Sequence, residues 1–234
     1  MRTLGIIGGM SWESTATYYR LLNEGARERL GGLHSAPLLL HSVNFAQVAA
    51  MQKAGEWEAA GALLAEVAQG LERAGAGALL LATNTMHKVA ASIQSAVRIP
   101  LLHIGDAVGG QLQARGVTKA ALLGTRFTMR EPFYRERLAE RFGVQVLLPD
   151  DGEMDEIDRI IFAELCRGEI RPESRAFYLG CLAKLQGAGA EAAILGCTEI
   201  GLLVTADATS LPLVDSTEAH VQAGLEWLLG HGIA

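Results

Sequence analysis

Short apolar runs, each closed by a glycine or a polar residue, alternate along the chain with stretches whose apolar positions recur at helical spacing. The runs predict strands at 3–7, 37–43, 100–103, 119–123, 144–148 and 211–214. Two further runs have one grammar: ALLLA leads into Thr83, and a buried strand ends at Gly196 just before Cys197. Between the strands, the spacing predicts helices at 12–30, 105–115, 129–141, 154–166 and 172–186. One or two more span 46–74 with Gly55 and Gly61 as weak points, one runs from the Thr83 turn to about 95, and the last ends near Gly230. Ser11 is placed to cap the first helix, Pro172 suits a first helical turn, and Gly116 marks a helix end. Strands alternating with helices are the pattern of an α/β fold.

The pattern occurs twice. Laying Thr83 on Cys197, 114 residues apart, also matches Gly75 with Gly189, Ala76 with Ala190, Ala78 with Ala192 and Leu81 with Leu195. PLLHIGDA at 100–107 lies on PLVDSTEA at 212–219, and GIIGG at 5–9 lies on ALLGT at 121–125, at offsets of 112 and 116. Three matches in the same order at nearly constant offset predict two similar lobes, each a parallel sheet flanked by helices and related by a pseudo-twofold axis. The first lobe spans 1–104 and the second 105–213; the last strand and helix, 214–234, are expected to pack back on the first.

Composition narrows the class. Half of the 234 residues are apolar and a fifth are charged, as in a globular protein. A net charge of −6 argues against a nucleic-acid binder, which would show a basic face. No apolar run approaches the roughly 20 residues that span a bilayer, and the opening MRTLGIIGGMSWES turns polar too soon for a secretion signal. With three scattered cysteines, Cys166, Cys181 and Cys197, this points to a reduced, cytoplasmic protein. Their spacing fits no common zinc pattern, so no metal is expected. The first strand ends in Gly8-Gly9 ahead of a helix, which invites a dinucleotide reading. GIIGGM lacks the GxGxxG spacing, and the next strand ends in Asn44 with no acidic residue for a ribose, so that reading is rejected.

A hydroxyl at Thr83 and a thiol at Cys197 then stand at carboxyl ends of strands, where open α/β sheets bind ligands. A protic group on each side of a substrate carbon can remove a proton from one face and return one to the other. An ordinary Cys has a pKa near ~8.5 and becomes a usable base after a modest fall, which the N-terminus of a following helix would provide. Threonine is a far weaker acid, so Cys197 is the stronger partner. Abstraction beside a carboxylate builds an enediolate-like charge that needs donors. The backbone N–H groups after each corner and the side chains of Asn84, Thr85, Thr125 and Thr198 are the candidates. No lysine stands where a pyridoxal Schiff base would form, and a cofactor-free reaction is the simpler expectation.

GGMSWEST at 8–15, TNTMH at 83–87 and GCTEIGLL at 196–203 resemble the aspartate/glutamate racemase family over the whole chain. Most members carry cysteine at both corners; Thr83 departs from that and resembles a subgroup of broad or L-biased specificity that pairs threonine with cysteine. The resemblance implies a cofactor-independent two-base racemase of acidic amino acids, glutamate or aspartate, with a two-lobed α/β fold and a homodimer. It also implies substrate contacts at Met10, Gln52, Asn84, Thr85, Thr198 and Glu199. Members strict for aspartate use an arginine and a lysine for the side-chain carboxylate, near Val48 and Glu164 here, and neither position is basic. The alternatives are an enzyme with one competent cysteine, such as an arylmalonate decarboxylase or a hydantoin racemase, and a ligand-binding homologue without catalysis. His87 reads as a surface or cap-region histidine, Cys166 and Cys181 as core, and Arg126 and Arg130 as a solvated helix face.

Overall fold

The computed structural model describes residues 1–230. In chain order the elements are β1 (Leu4–Gly8), α1 (Trp12–Leu30), β2 (Leu38–Ser42), α2 (Phe45–Ala54), α3 (Trp57–Arg73), β3 (Ala78–Leu81), α4 (Ala90–Ser95), β4 (Leu101–Leu102) and α5 (Ile104–Ala114). There follow β5 (Lys119–Gly124), α6 (Arg126–Arg130), α7 (Pro132–Phe142), β6 (Gln145–Leu147), α8 (Asp151–Ala163), α9 (Pro172–Gly187), β7 (Ala192–Gly196), α10 (Ile200–Leu203), β8 (Leu213–Asp215) and α11 (Ser216–Leu229). The chain divides into two compact units. One is Met1–Ile104 together with the chain from His220 on; the other is Gly105–Ala219. Residues 231–234 of the tail lie outside the described residues.

In the first unit four parallel strands run in the order β2-β1-β3-β4. Alternate residues of the central strands feed two cores. Ile7, Leu79 and Leu81 pack with Val48, Leu64 and Ile93 of α2, α3 and α4, and Leu4, Ile6 and Leu80 pack with Tyr18 and Leu22 of α1 and Leu225 of α11. Burial on both faces is why these strands read as unbroken apolar runs rather than alternating ones. The second unit repeats the scheme as β6-β5-β7-β8, again all parallel.

The duplication extends to backbone detail. Gly75 and Gly189, matched by the sequence offset, have φ of +99° and +100° in the turns that enter β3 and β7. The Leu79 N–H donates to Pro100 O at 2.9 Å, and the Ala193 N–H to Pro212 O at 2.8 Å. That second pair corrects one expectation: the strand near 211–214 does not return to the first unit. It pairs with β7, Leu195 opposite Asp215, because Pro212 plays in its own sheet the part that Pro100 plays in the first. Only the chain from His220 returns, with Val221, Leu225 and Leu228 of α11 in the core beside Leu4 and Leu22.

Other boundaries moved for local reasons. Gly55, at φ +74°, ends α2, whereas Gly61 stays inside α3, where an added Cβ would come 3.1 Å from Ser92. The helix expected at 129–141 begins earlier and is two helices, because Thr125 caps α6 and Pro132 opens α7. The helix expected from 154 begins at Asp151, set by a capping box between Asp150 and Glu153. Among the described residues, no helix is long and apolar enough to cross a membrane.

Candidate active site

Each unit places candidate site residues at the carboxyl ends of its two central strands. In the first, β1 leads through Gly9 to Met10, and the adjacent β3 leads to Thr83, with Ile7 and Leu81 in register. The turn after β1 is held by Thr15: its hydroxyl accepts the Gly9 N–H at 2.8 Å and donates to Ser11 O at 2.9 Å. A Cβ on Gly8 would lie 2.5 Å from Thr15 Cγ2, so only glycine lets this turn close. Met10 is 6% exposed and lies in the core cluster that holds Met86 and Val48. Gln52, on α2, donates from Nε2 to Met86 Sδ at 2.9 Å. Met10, Gln52 and the Thr83 turn therefore share one neighbourhood through Met86.

Thr83 is half-buried, and Asn84 and Thr85 are buried. The backbone of Thr83 is fixed at both ends: its N–H donates to Leu81 O at 2.8 Å, and its carbonyl accepts from His87 Nδ1 at 2.7 Å. The chain continues as a 3-10 turn, Thr85–Val89, before α4. His87 is not at the surface, as its position suggested; it is 2% exposed. Its burial depends on Ile104 and His103, which sequence spacing from Thr83 does not bring near.

In the second unit, Gly124 and Gly196 are in register at the ends of β5 and β7, so Thr125 and Cys197 follow on neighbouring strands. A Cβ on Gly124 would come 3.0 Å from Gly196 O, so the two strand ends approach as closely as glycine permits. Thr125 Oγ1 accepts the Thr128 N–H at 3.3 Å and lies 3.1 Å from Thr128 Oγ1. The Thr125 hydroxyl thus serves the cap of α6. Cys197 is half-buried, as is Thr198, and Glu199 is buried. The Cys197 thiol donates to Glu199 Oε2 at 3.0 Å.

The electrostatics of Cys197 overturn one expectation. The segment after it is a single short turn of helix, Ile200–Leu203, and cannot supply the dipole of a long helix. Burial, then the Glu199 carboxylate, then the hydrogen bond to that carboxylate push the thiol well above the ordinary cysteine range; the Glu199 backbone N–H opposes them weakly. At rest Cys197 is a protonated thiol with a carboxylate accepting its hydrogen.

Cys166 lies half-buried in a 3-10 turn, Leu165–Arg167, not inside a helix, and it adds to the upward push on Cys197. Cys181 is buried, and burial pushes its thiol up to about 12. Glu164 is 2% exposed; it accepts from Ser174 Oγ at 2.5 Å and from Arg159 Nη2 at 2.8 Å, and these partners hold its carboxyl below the usual range. Val48 is buried in the first core. Neither position offers a cation to a substrate carboxylate. Arg126 and Arg130 form surface ion pairs with Asp155 and Asp151. Among the described residues no group of three or more His, Cys, Asp or Glu could hold a metal ion.

A family model described as Asp/Glu/Hydantoin racemase matches residues 7–224. Among solved structures, the chain is similar to an Asp/Glu racemase candidate from Yersinia pestis, at 47% identity and a TM-score of 0.93, covering 98% of this chain and 100% of that one. It is also similar to an aspartate racemase homologue from Pyrococcus horikoshii, at 36% identity and a TM-score of 0.86, covering 98% of this chain and 100% of that one. An aspartate racemase from Picrophilus torridus shares the fold, at 18% identity and a TM-score of 0.78, with 97% of this chain and 94% of that one covered.

Proposed function

Because the chain belongs to the Asp/Glu/hydantoin racemase family, we propose that it is a cofactor-independent racemase of an acidic amino acid, glutamate or aspartate. In this reading Cys197 serves one face of the α-carbon and Thr83 the other. The observation that carries it is the repeated corner: matched glycines, strands that begin at matched alanines (Ala78 and Ala192), and a protic side chain at the same offset in each copy.

The reaction has a definite order on the Cys197 side. The thiol passes its proton to Glu199, leaving a thiolate and a neutral carboxyl; neutralising Glu199 removes the charge that opposes the thiolate. The thiolate takes the α-proton and becomes a thiol again, and the carbon's electron pair spreads into the substrate carboxylate. Backbone N–H groups of the two turns, with Asn84, Thr85 and Thr198, stabilise that charge. Thr125 acts through the turn it caps. Thr83 delivers a proton to the opposite face and is reprotonated from solvent, and Glu199 returns the proton it took from the thiol to solvent. Met10 and Gln52 bound the substrate on the Thr83 side. The same resemblance leads us to propose a homodimer, and the three scattered cysteines a reduced, cytoplasmic setting; size-exclusion chromatography with light scattering and cell fractionation test these.

A second reading has one specific support. A resting thiol held as a donor suits protonation of an enediolate left by decarboxylation, the reaction of an enzyme with one competent cysteine. Incubation with L-glutamate or L-aspartate in D₂O separates the readings. A racemase moves solvent deuterium onto the α-carbon and forms the D-enantiomer, and Cys197→Ser abolishes both. Neither exchange nor inversion with either amino acid defeats the proposal. If the wild type is inert and Thr83→Cys racemises, the chain is a binding protein.

A further inference from the structure

We infer that His87 is the positioning residue for Thr83: a neutral imidazole whose Nδ1–H holds the Thr83 carbonyl and whose bare Nε2 is locked by the Ile104 N–H. The inference rests on the proposed role of Thr83.

The partners assign the proton. Thr83 O can only accept, and it lies 2.7 Å from His87 Nδ1, so Nδ1 carries the hydrogen. The Ile104 N–H can only donate, and it lies 3.2 Å from Nε2, so Nε2 is bare. An imidazolium would lose the second bond. A buried polar group fixed at both nitrogens orients what it holds.

The ring is packed as well as bonded. Its centroid lies 4.5 Å from that of His103 and 5.6 Å from that of His220, both edge-on. His220 is itself fixed: Nε2 donates to Leu102 O at 2.6 Å, and Nδ1 accepts from the Tyr18 hydroxyl at 2.9 Å. His87, His103, His220 and Tyr18 are all at most 9% exposed. They form a polar floor under the Thr83 turn, drawn from α1, the end of β4 and α11.

The second unit lacks this device. The sequence offset that pairs Thr83 with Cys197 pairs His87 with Gly201, and the Cys197 carbonyl accepts instead from the Ile200 N–H at 3.2 Å. The imidazole anchor belongs to the corner whose acid–base group is weak. A thiolate tolerates imperfect aim better than a hydroxyl, which transfers a proton only when well placed. A displacement of about 1 Å costs such a step on the order of 100-fold.

Two measurements test this. Long-range ¹H–¹⁵N correlation on the wild type, with the His87 signal identified by its loss in His87→Asn, reports the tautomer without any substrate. The Nδ1–H form is expected at neutral pH, and the Nε2–H form or a cationic ring overturns the inference. The second uses paired variants. The amide of His87→Asn sits where Nδ1 sat and can still donate to Thr83 O; that of His87→Gln reaches the Nε2 position and cannot. In D₂O, the enantiomer whose wash-in Thr83→Ala silences defines the Thr83 face. His87→Gln should cut wash-in at that face and net racemisation about 100-fold, with KM and retention-mode wash-in at the Cys197 face within about threefold. His87→Asn should recover most of the loss. Equal losses at both faces, or no recovery by His87→Asn, overturn the inference. No wash-in by the wild type with any amino acid defeats the racemase reading instead, while the tautomer still reports on His87.

Discussion

Glu199→Gln isolates the largest charge acting on Cys197. The thiol donates to Glu199 Oε2 at 3.0 Å, and the carboxylate raises the thiol's pKa both by charge and by accepting its hydrogen. An elementary charge about 4 Å away at an effective dielectric near 20 is worth about 4 kcal/mol. Water at the half-buried thiol screens part of this, so the thiol's pKa falls in the variant by less than the full Coulomb energy implies. Removing an anion favours the thiolate, so the sign is downward. The assay is the pH dependence of iodoacetamide alkylation in a Cys166→Ser background, with buried Cys181 as the slow internal reference. The midpoint should move to lower pH and alkylation at neutral pH should quicken. Turnover should move the other way, falling about 10²-fold or more, because glutamine cannot take the thiol's proton. A midpoint that stays put or rises would refute the account of Cys197. Faster alkylation with unchanged turnover would keep the electrostatics and remove Glu199 from the proton path.

Two stability predictions follow from the first unit. Burial lowers the His220 pKa to about 4, so the unfolded chain binds a proton below about 6.5 that the folded chain refuses. Stability from this group is full at neutral pH and is lost as pH falls through that window, by up to about 3 kcal/mol at pH 4; urea unfolding should show a pH slope there that His220→Gln flattens. Gly8→Ala drives a methyl group against Thr15, and strain of this kind costs about 1–3 kcal/mol, so its melting temperature should fall measurably; an unchanged melting temperature would show that Thr15 can move away.

The corners themselves were legible because they are local. An apolar run, a small residue and a polar one at the carboxyl end of a parallel strand need no distant partner to be recognised, and the repeat confirmed the grammar twice. The environment of each corner was not legible. Nothing between Cys197 and Leu203 announces that the helix stops after one turn; Val204 turns extended there. His87 has partners 17 residues away at Ile104, and a ring neighbour at His220 in the last helix. The last strand pairs with β7, and the match of 212–219 on 100–107 carries that placement: the segment it copies holds β4, which pairs with β3 in the same way.

The two corners follow matched strands and differ in what surrounds the proton: a carboxylate accepts from the Cys197 thiol, and an imidazole anchors the Thr83 carbonyl. If they act on one carbon, this asymmetry is constrained by the substrate. Enantiomers have equal free energy in water, so kcat/KM must be the same in both directions however unequal the two bases are. The inequality can appear only in kcat and KM taken separately, changing by the same factor, and in how often a captured proton exchanges with solvent before inversion completes. A weak hydroxyl on one side makes the step at that side slow for both directions, since one direction uses it to remove the proton and the other to deliver it. The thiol side then equilibrates many times per inversion, and the enantiomer whose hydrogen faces Cys197 should exchange with solvent faster than it racemises.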